Sequence, residues 1–194
     1  RLGTSDLFED WKIAGGFRIS TDLSNNEYIF TSQYLKKRLD YGITYYRNTA
    51  MYGSTVGDVK LFSNLYQGTV SYPFNKVRSL RFNLGYRSDK YVFKGNKDVP
   101  QTLDIPDLKQ TYALAHIEFV HDDAVSPVLN IWNGLRWKVY LDYNFQLKKS
   151  DGTGSGENPY IMNFGFDARH YLPIYRNVTW AVRAAADFSW GSQK

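Results

Sequence analysis

Three histidines, a glycine-rich segment and a scatter of single charges are the places where this chain could do chemistry. His121 stands beside Asp122 and Asp123, all metal-ligating types. Neighbours on a turn rarely converge on one ion, however, and no second histidine is near in sequence, so the trio reads as turn polarity. His170, beside Leu172 and Pro173, could act as the base of a serine hydrolase, but no G-x-S-x-G or comparable nucleophile setting accompanies it. His116 carries no partner signal. DGTGSGENP at 151–159 lacks the alternating acids and closing glutamate of a calcium loop and reads as surface loop. With no cysteine, thiol catalysis, disulfides and zinc-thiolate sites drop out. The expectation is a non-enzymatic chain that needs no cofactor or metal.

The charges make the stronger functional claim. Lys12 and Arg18, Arg38 and Asp40, Arg81 and Arg87, Arg136, Lys138 and Asp142, Asp167 and Arg169, and Arg183 and Asp187 each sit on one parity of an alternating stretch. Side chains two apart share a face of a β-strand. Two roles fit such a set. One is a cross-strand network that stiffens a wall; the other is a mildly anion-favouring interior, water-filled or plugged.

The elements that must position these residues follow from the same period of two. In GLRWKVYLDYNFQLK (134–148), Leu135, Trp137, Val139, Leu141, Tyr143, Phe145 and Leu147 oppose Arg136, Lys138, Asp142 and other polar residues. Residues 11–20, 38–46, 79–87, 160–172 and 178–190 behave alike, and no position on their apolar parity holds Asp, Glu, Lys or Arg. That parity carries Trp11, Phe17, Tyr41, Phe82, Trp137, Phe145, Phe164, Phe166, Trp180 and Trp190. Residues 27–36, 64–72 and 110–121 are less regular; the last changes parity between Leu114 and Ile117, which a β-bulge near Ala115 would explain. The chain thus reads as all-β, with about nine strands and no convincing helix.

The links differ by end. Those after the second, fourth and eighth strands are short: Lys36-Lys37, PFNKV and PIYRN. Those after the third, fifth and seventh are long and polar: NTAMYGSTVGD, SDKYVFKGNKDVPQTLDIPDLK and KKSDGTGSGENP. DLSNN and HDDAVSPVLNIWN break the rule.

Which face is inside is the question these patterns raise. A soluble β-sandwich would bury the apolar parity, whereas a membrane barrel would turn it outward. Aromatics make up 17% of the chain, with sixteen Tyr, twelve Phe and five Trp, and they mark both ends of the apolar face. Mean hydropathy of -0.47 is no obstacle, because alternating strands average low and no long apolar run is needed. Strand length, aromatic girdles and the segregation of long links together favour a transmembrane antiparallel β-barrel. The excess of 24 Lys and Arg over 19 Asp and Glu is dispersed, which argues against nucleic acid and leaves membrane lipid as the expected partner. An odd strand count implies further strands after Lys194. With long loops extracellular, the first strand starts on the periplasmic side. Residues 1–10 are then the lead-in from a periplasmic region, and 11–194 the N-terminal part of the barrel.

Several stretches resemble a known family. SDLFEDWKIAGGFRISTDLSNNEY, LKKRLDYGITYYR, SYPFNKVRSLRFNLGYR, EFVHDDAVSPVLNIWNGLRWKVYLDY and ARHYLPIYRNVTWAVRAAADFSWGS look like the barrel of bacterial surface-antigen proteins, in the outer-membrane assembly-factor superfamily. The Bacteroidetes form, in which a Tol-like β-propeller precedes the barrel, is the most similar flavour. The resemblance implies a sixteen-stranded barrel in the outer membrane of a Gram-negative bacterium, with a role in protein insertion or secretion. It also implies a periplasmic domain of the same chain and envelope protein partners. The family's inward V-R-G-F or V-R-G-Y element does not occur in these 194 residues. The leading expectation is therefore the membrane part of a protein-assembly, secretion or envelope complex. A passive porin or solute channel and a soluble sandwich binding module are the alternatives.

Overall fold

The computed structural model describes residues 2–20, 25–54, 57–94, 106–128, 131–149, 159–176 and 178–192. The described residues form one antiparallel sheet. Its strands are β1 (Leu2–Ser5), β2 (Trp11–Ile19), β3 (Asn26–Tyr34), β4 (Asp40–Ser54), β5 (Gly57–Pro73) and β6 (Arg78–Lys94). They continue as β7 (Leu108–Asp122), β8 (Val125–Val128), β9 (Ile131–Lys149), β10 (Tyr160–Tyr175) and β11 (Val178–Gly191). Each strand pairs with its sequence neighbour, except that β7 pairs with β9 and the short β8 hangs off β9. Nine long strands lie where the alternation puts them, and β1 and β8 are additions. The sheet is open, with β1 at one edge and β11 at the other.

Local chemistry shapes the turns at the end where the chain enters β2. Asn75 accepts the backbone N–H of Val77 (3.0 Å) and Arg78 (2.7 Å), closing the β5–β6 link as an Asx turn. Asp6 does the same for Trp11 N–H at 2.9 Å between β1 and β2. Gly134 has φ of 118°, and a Cβ there would meet Asp123 O at 2.8 Å and Ala124 Cα at 2.9 Å, so only glycine lets β9 pass this close to the β7 end.

Register fixes the faces, because directly opposed residues point the same way. One row runs Phe30, Tyr45, Tyr66, Tyr86, Ala113, Phe145, Tyr160 from β3 to β10. The row through Trp11 continues Tyr34, Tyr41, Val70, Phe82, Ile117, Leu141, Phe164, Phe188. A single apolar band therefore crosses β2 to β11. The band is oblique to the rows. On β11 it reaches up to Trp190, whose row leads back through Met162, Tyr143, Ala115, Leu84, Gly68, Ile43 and Ser32 to Ile13, whereas on β2 the band continues to Ile19.

Three expectations need correction. No bulge lies at Ala115: β6 and β7 stay in one register from Arg78–His121 to Tyr91–Leu108, and the irregularity on β7 falls between Thr111 and Tyr112, against β9. Leu114 consequently faces the polar side beside Gly85 and Asn144, an apolar residue whose position imitated a change of parity. Second, NTAMYGSTVGD is strand for almost all its length, since β4 and β5 pair out to Ser54–Gly57, and YVFK likewise belongs to β6. Side-chain alternation fades there while the backbone ladder goes on. Third, Arg38 precedes β4; its guanidinium lies 4.7 Å from the centre of the Tyr72 ring, at the margin of the apolar band. HDDAVSPVLNIWN holds β8 and the start of β9, paired as a small hairpin. The segment 151–158 lies outside the described residues.

Neither face is covered by a second layer of the described residues, and no hydrophobic residue among them is buried. Phe17 is 73% exposed, Ile43 66% and Trp180 57%. On β6 the apolar residues Phe82, Leu84 and Tyr86 are exposed while their polar-face neighbours Asn83, Arg87 and Asp89 are half-buried or buried. Side chains crowd on the hollow side of a curved sheet, so the polar face is the concave one.

Candidate functional site

All ten aromatic residues singled out above share the apolar face. Lys12, Arg18, Asp40, Arg81, Arg87, Arg136, Lys138, Asp142, Asp167, Arg169, Arg183 and Asp187 share the other, and Arg38 alone falls outside it. Alternation along β2, β4, β6, β9, β10 and β11 puts each charge there; register decides which of them meet.

The densest part spans β6 to β11. Arg136, Arg169 and Arg183 occupy one row on three successive strands, with Asp122 opposite Arg136 at its β7 end. Arg136 grips Asp122 with two nitrogens, Nε at 3.1 Å. Asp167, one row away, accepts from Arg169 (Nη2 3.1 Å) and Arg183 (Nη2 2.9 Å), each also through Nε. Fork-on-carboxylate pairing of this kind fixes both partners in a plane. The Asp167 side chain is only 15% exposed.

A second cluster centres on Glu118, whose side chain is 11% exposed. It meets Arg81 at 3.0 Å, His116 at 3.7 Å and Lys138 at 3.8 Å. His116 Nδ1 also lies 2.5 Å from Asp142 Oδ1. Tyr140 passes over Gly165 and donates its hydroxyl to Asp187. Nearer the opposite end, Asp89 takes Arg87 (3.0 Å) and the Ser63 hydroxyl (2.6 Å), and Arg87 lies over the Tyr112 ring at 4.6 Å. Lys12 and Arg18 stand apart, paired with Glu9 (2.8 Å) and Glu27 (4.0 Å).

Glu118 and His116 are the residues that sequence reasoning missed. Both sit on the even parity of β7, and the pairing of Glu118 with Arg81 becomes visible only once β6 and β7 are in register. The histidine–aspartate turn resolves differently from a metal trio. His121 faces the apolar side, stacks on Trp137 with ring centres 5.7 Å apart, and approaches Asp123 at 3.4 Å, whereas Asp122 turns to the polar face and Arg136. His170 lies on the apolar face between Leu135 and Val182.

Chemically the polar face is a wall of matched charges. Glu27, Asp89, Glu118, Asp122, Asp142, Asp167 and Asp187 are each engaged by a guanidinium, ammonium, imidazole or hydroxyl, an arrangement that holds neighbouring strands at fixed spacing and leaves a slight cationic excess along the Arg136–Arg169–Arg183 row. No protein-family model matches this chain, and no curated protein matches it in sequence.

Proposed function

We propose that the chain is part of a transmembrane β-barrel of the outer membrane of a Gram-negative bacterium, its apolar face against lipid and its charged face toward the lumen. The observation that carries this reading is the uncovered apolar band, which spans β2 to β11 with nothing packed on it among the described residues. Water-exposed, such a band would far exceed the apolar patches that soluble monomers tolerate. Lipid removes that cost. The oblique course of the band supports the same reading, because strands in a barrel tilt by about 35–45° to the axis and a band level with the membrane must then step across the ladder.

Within hydrocarbon, unpaired strand edges cost several kcal/mol per group, so the free sides of β1–β2 and β11 require further strands to close the wall. The resemblance to surface-antigen barrels supports a role as the membrane part of a protein-assembly, secretion or envelope complex, with a periplasmic domain and envelope proteins as partners. A charge-paired wall serves that role by staying rigid while clients engage elsewhere. Passive solute conduction is the competing use of the same lumen, and single-channel recording on the full protein in planar bilayers separates the two: a wide, permanently open pore would favour the channel.

Membrane residence itself is tested by fractionation. The full protein should stay with the outer-membrane pellet through alkaline carbonate and urea and dissolve only in detergent. Release by carbonate as a stable monomer would end the proposal.

A further inference from the structure

Above the apolar band, toward the ends joined by residues 55–56 and 95–107, the face that carries it changes character. On β4, β5 and β6 the band ends in aromatic rings, Tyr45, Tyr66 and Tyr86, the first two having centres 5.0 Å apart. In the next row stands Arg47, between Tyr28 and Asn64; beyond it Lys90 and Lys109 oppose each other directly, and further on come Lys60 and Lys94. Arg47, Lys90, Lys94 and Lys109 are exposed. Two acids share this zone: Asp58 opposes Lys94, and Asp107 bonds Lys90 at 2.6 Å. Arg47, Lys60 and Lys109 have no acidic partner among the described residues; Lys109 stands directly opposite Lys90, whose ammonium Asp107 already engages.

Resting on the membrane reading above, we infer that this basic belt binds the phosphate groups of phosphorylated glycolipid in the outer leaflet. Position and charge both point there. Tyrosine belts sit at the headgroup boundary of a bilayer. Going up one strand, each same-face step adds two residues, about 6.6 Å along the strand and about 5 Å along the membrane normal once tilted, so Arg47, Lys90 and Lys60 stand about 5–15 Å above the tyrosine that ends the band on their own strands, with Lys109 opposite Lys90, level with lipid headgroups. Long side chains can lay their stems along the wall and present the cation at that level. Phosphate accepts from several cations at once and so suits Arg47, Lys60 and Lys109, the three cations left without an acid.

The test uses the full protein reconstituted in phosphatidylcholine vesicles doped with bisphosphorylated lipid A, followed by gentle detergent extraction and measurement of lipid A retained per protein. The comparison is with dephosphorylated lipid A and with the variant Arg47→Gln, Lys60→Gln, Lys109→Gln. Insertion of the variant should be unchanged, and retention should fall about tenfold for the variant and for the dephosphorylated lipid, since each cation adds a severalfold share of attraction to an anionic surface. Retention by the native protein should also weaken with salt. Equal retention of both lipids, or retention indifferent to salt, overturns the belt and leaves the membrane reading standing. Failure of the native protein to insert into phosphatidylcholine overturns both.

Discussion

Tyr140 on β9 reaches across Gly165 on β10 to hydrogen-bond Asp187 on β11, so one side chain ties three strands together. Gly165 is buried, and a Cβ placed there would lie 2.5 Å from Tyr140 Cζ and its hydroxyl oxygen and would also collide with Asp187. Gly165→Ala must therefore dislodge the tyrosine. The cost should be about 1–3 kcal/mol of unfolding free energy in urea, the range for overpacking a filled site. Tyr140→Ala costs stability alone but makes Gly165→Ala nearly neutral, and a double-mutant cycle showing additive losses would contradict the tie.

Asp167 should behave as a joint rather than as one surface charge. Two guanidiniums fork onto it from β10 and β11. Asp167→Asn removes the charge that both share and leaves Arg136, Arg169 and Arg183 stacked in one row, at an expected loss of about 1–3 kcal/mol. Arg183→Gln in the same background should recover part of it, read from the same urea midpoints.

Depth should grade the apolar face. Phe166→Arg, well inside the band, is expected to cost about 2–4 kcal/mol in lipid vesicles, while Tyr28→Arg, beside Arg47 at the upper margin, should cost about 1 kcal/mol or less. Asn163→Arg on the polar face of β10 should insert as the native protein does. Equal tolerance at all three positions would argue that none of them meets hydrocarbon.

Acid should loosen the β7–β9 corner only at the low end of the carboxylate range. Asp123, outside the strands, accepts the Leu135 backbone N–H at 2.5 Å, and that bond, helped by His121, holds its carboxyl below the ordinary aspartate range. A lowered folded value means the contribution is present above the unfolded value and is lost as pH falls through the folded one. Protection of the Leu135 amide against exchange, taken relative to the intrinsic rate at each pH, should fall over that acidic window in the native protein. In Asp123→Ala that protection should be low throughout and flat with pH.

Much of this was legible from alternation. Trp137, Phe164 and Trp180 declare the apolar face of their own strands in sequence because the period of two lies within each strand, and a register slipped by one residue would set charges among them. Contacts between strands were not legible: nothing in the spacing says that Glu118 meets Arg81 or that Tyr140 crosses Gly165, since both depend on how far adjacent strands slide. Leu114 misled because an apolar residue on the polar face looks like a bulge. Residues 47–54 and 57–62 misled for the opposite reason. Their ladder persists above the band, where Arg47 and Lys60 take the outer face and Leu61 and Val59 the inner one, so the polarity that identifies the strands elsewhere is reversed. The β8 hairpin is too short to show a period at all.

These 194 residues hold no cysteine, so single cysteines introduced into them carry spin labels without background once any cysteine elsewhere in the full protein is replaced. Labels at Phe17, Phe164 and Val182 in the reconstituted full protein should collide freely with oxygen and be shielded from a water-soluble nickel chelate, while labels at Asn163 and Ser189 should show the reverse. Shielding of the first three from both reagents, or their ready access to the nickel chelate, would mean that protein or water covers the apolar band and not lipid.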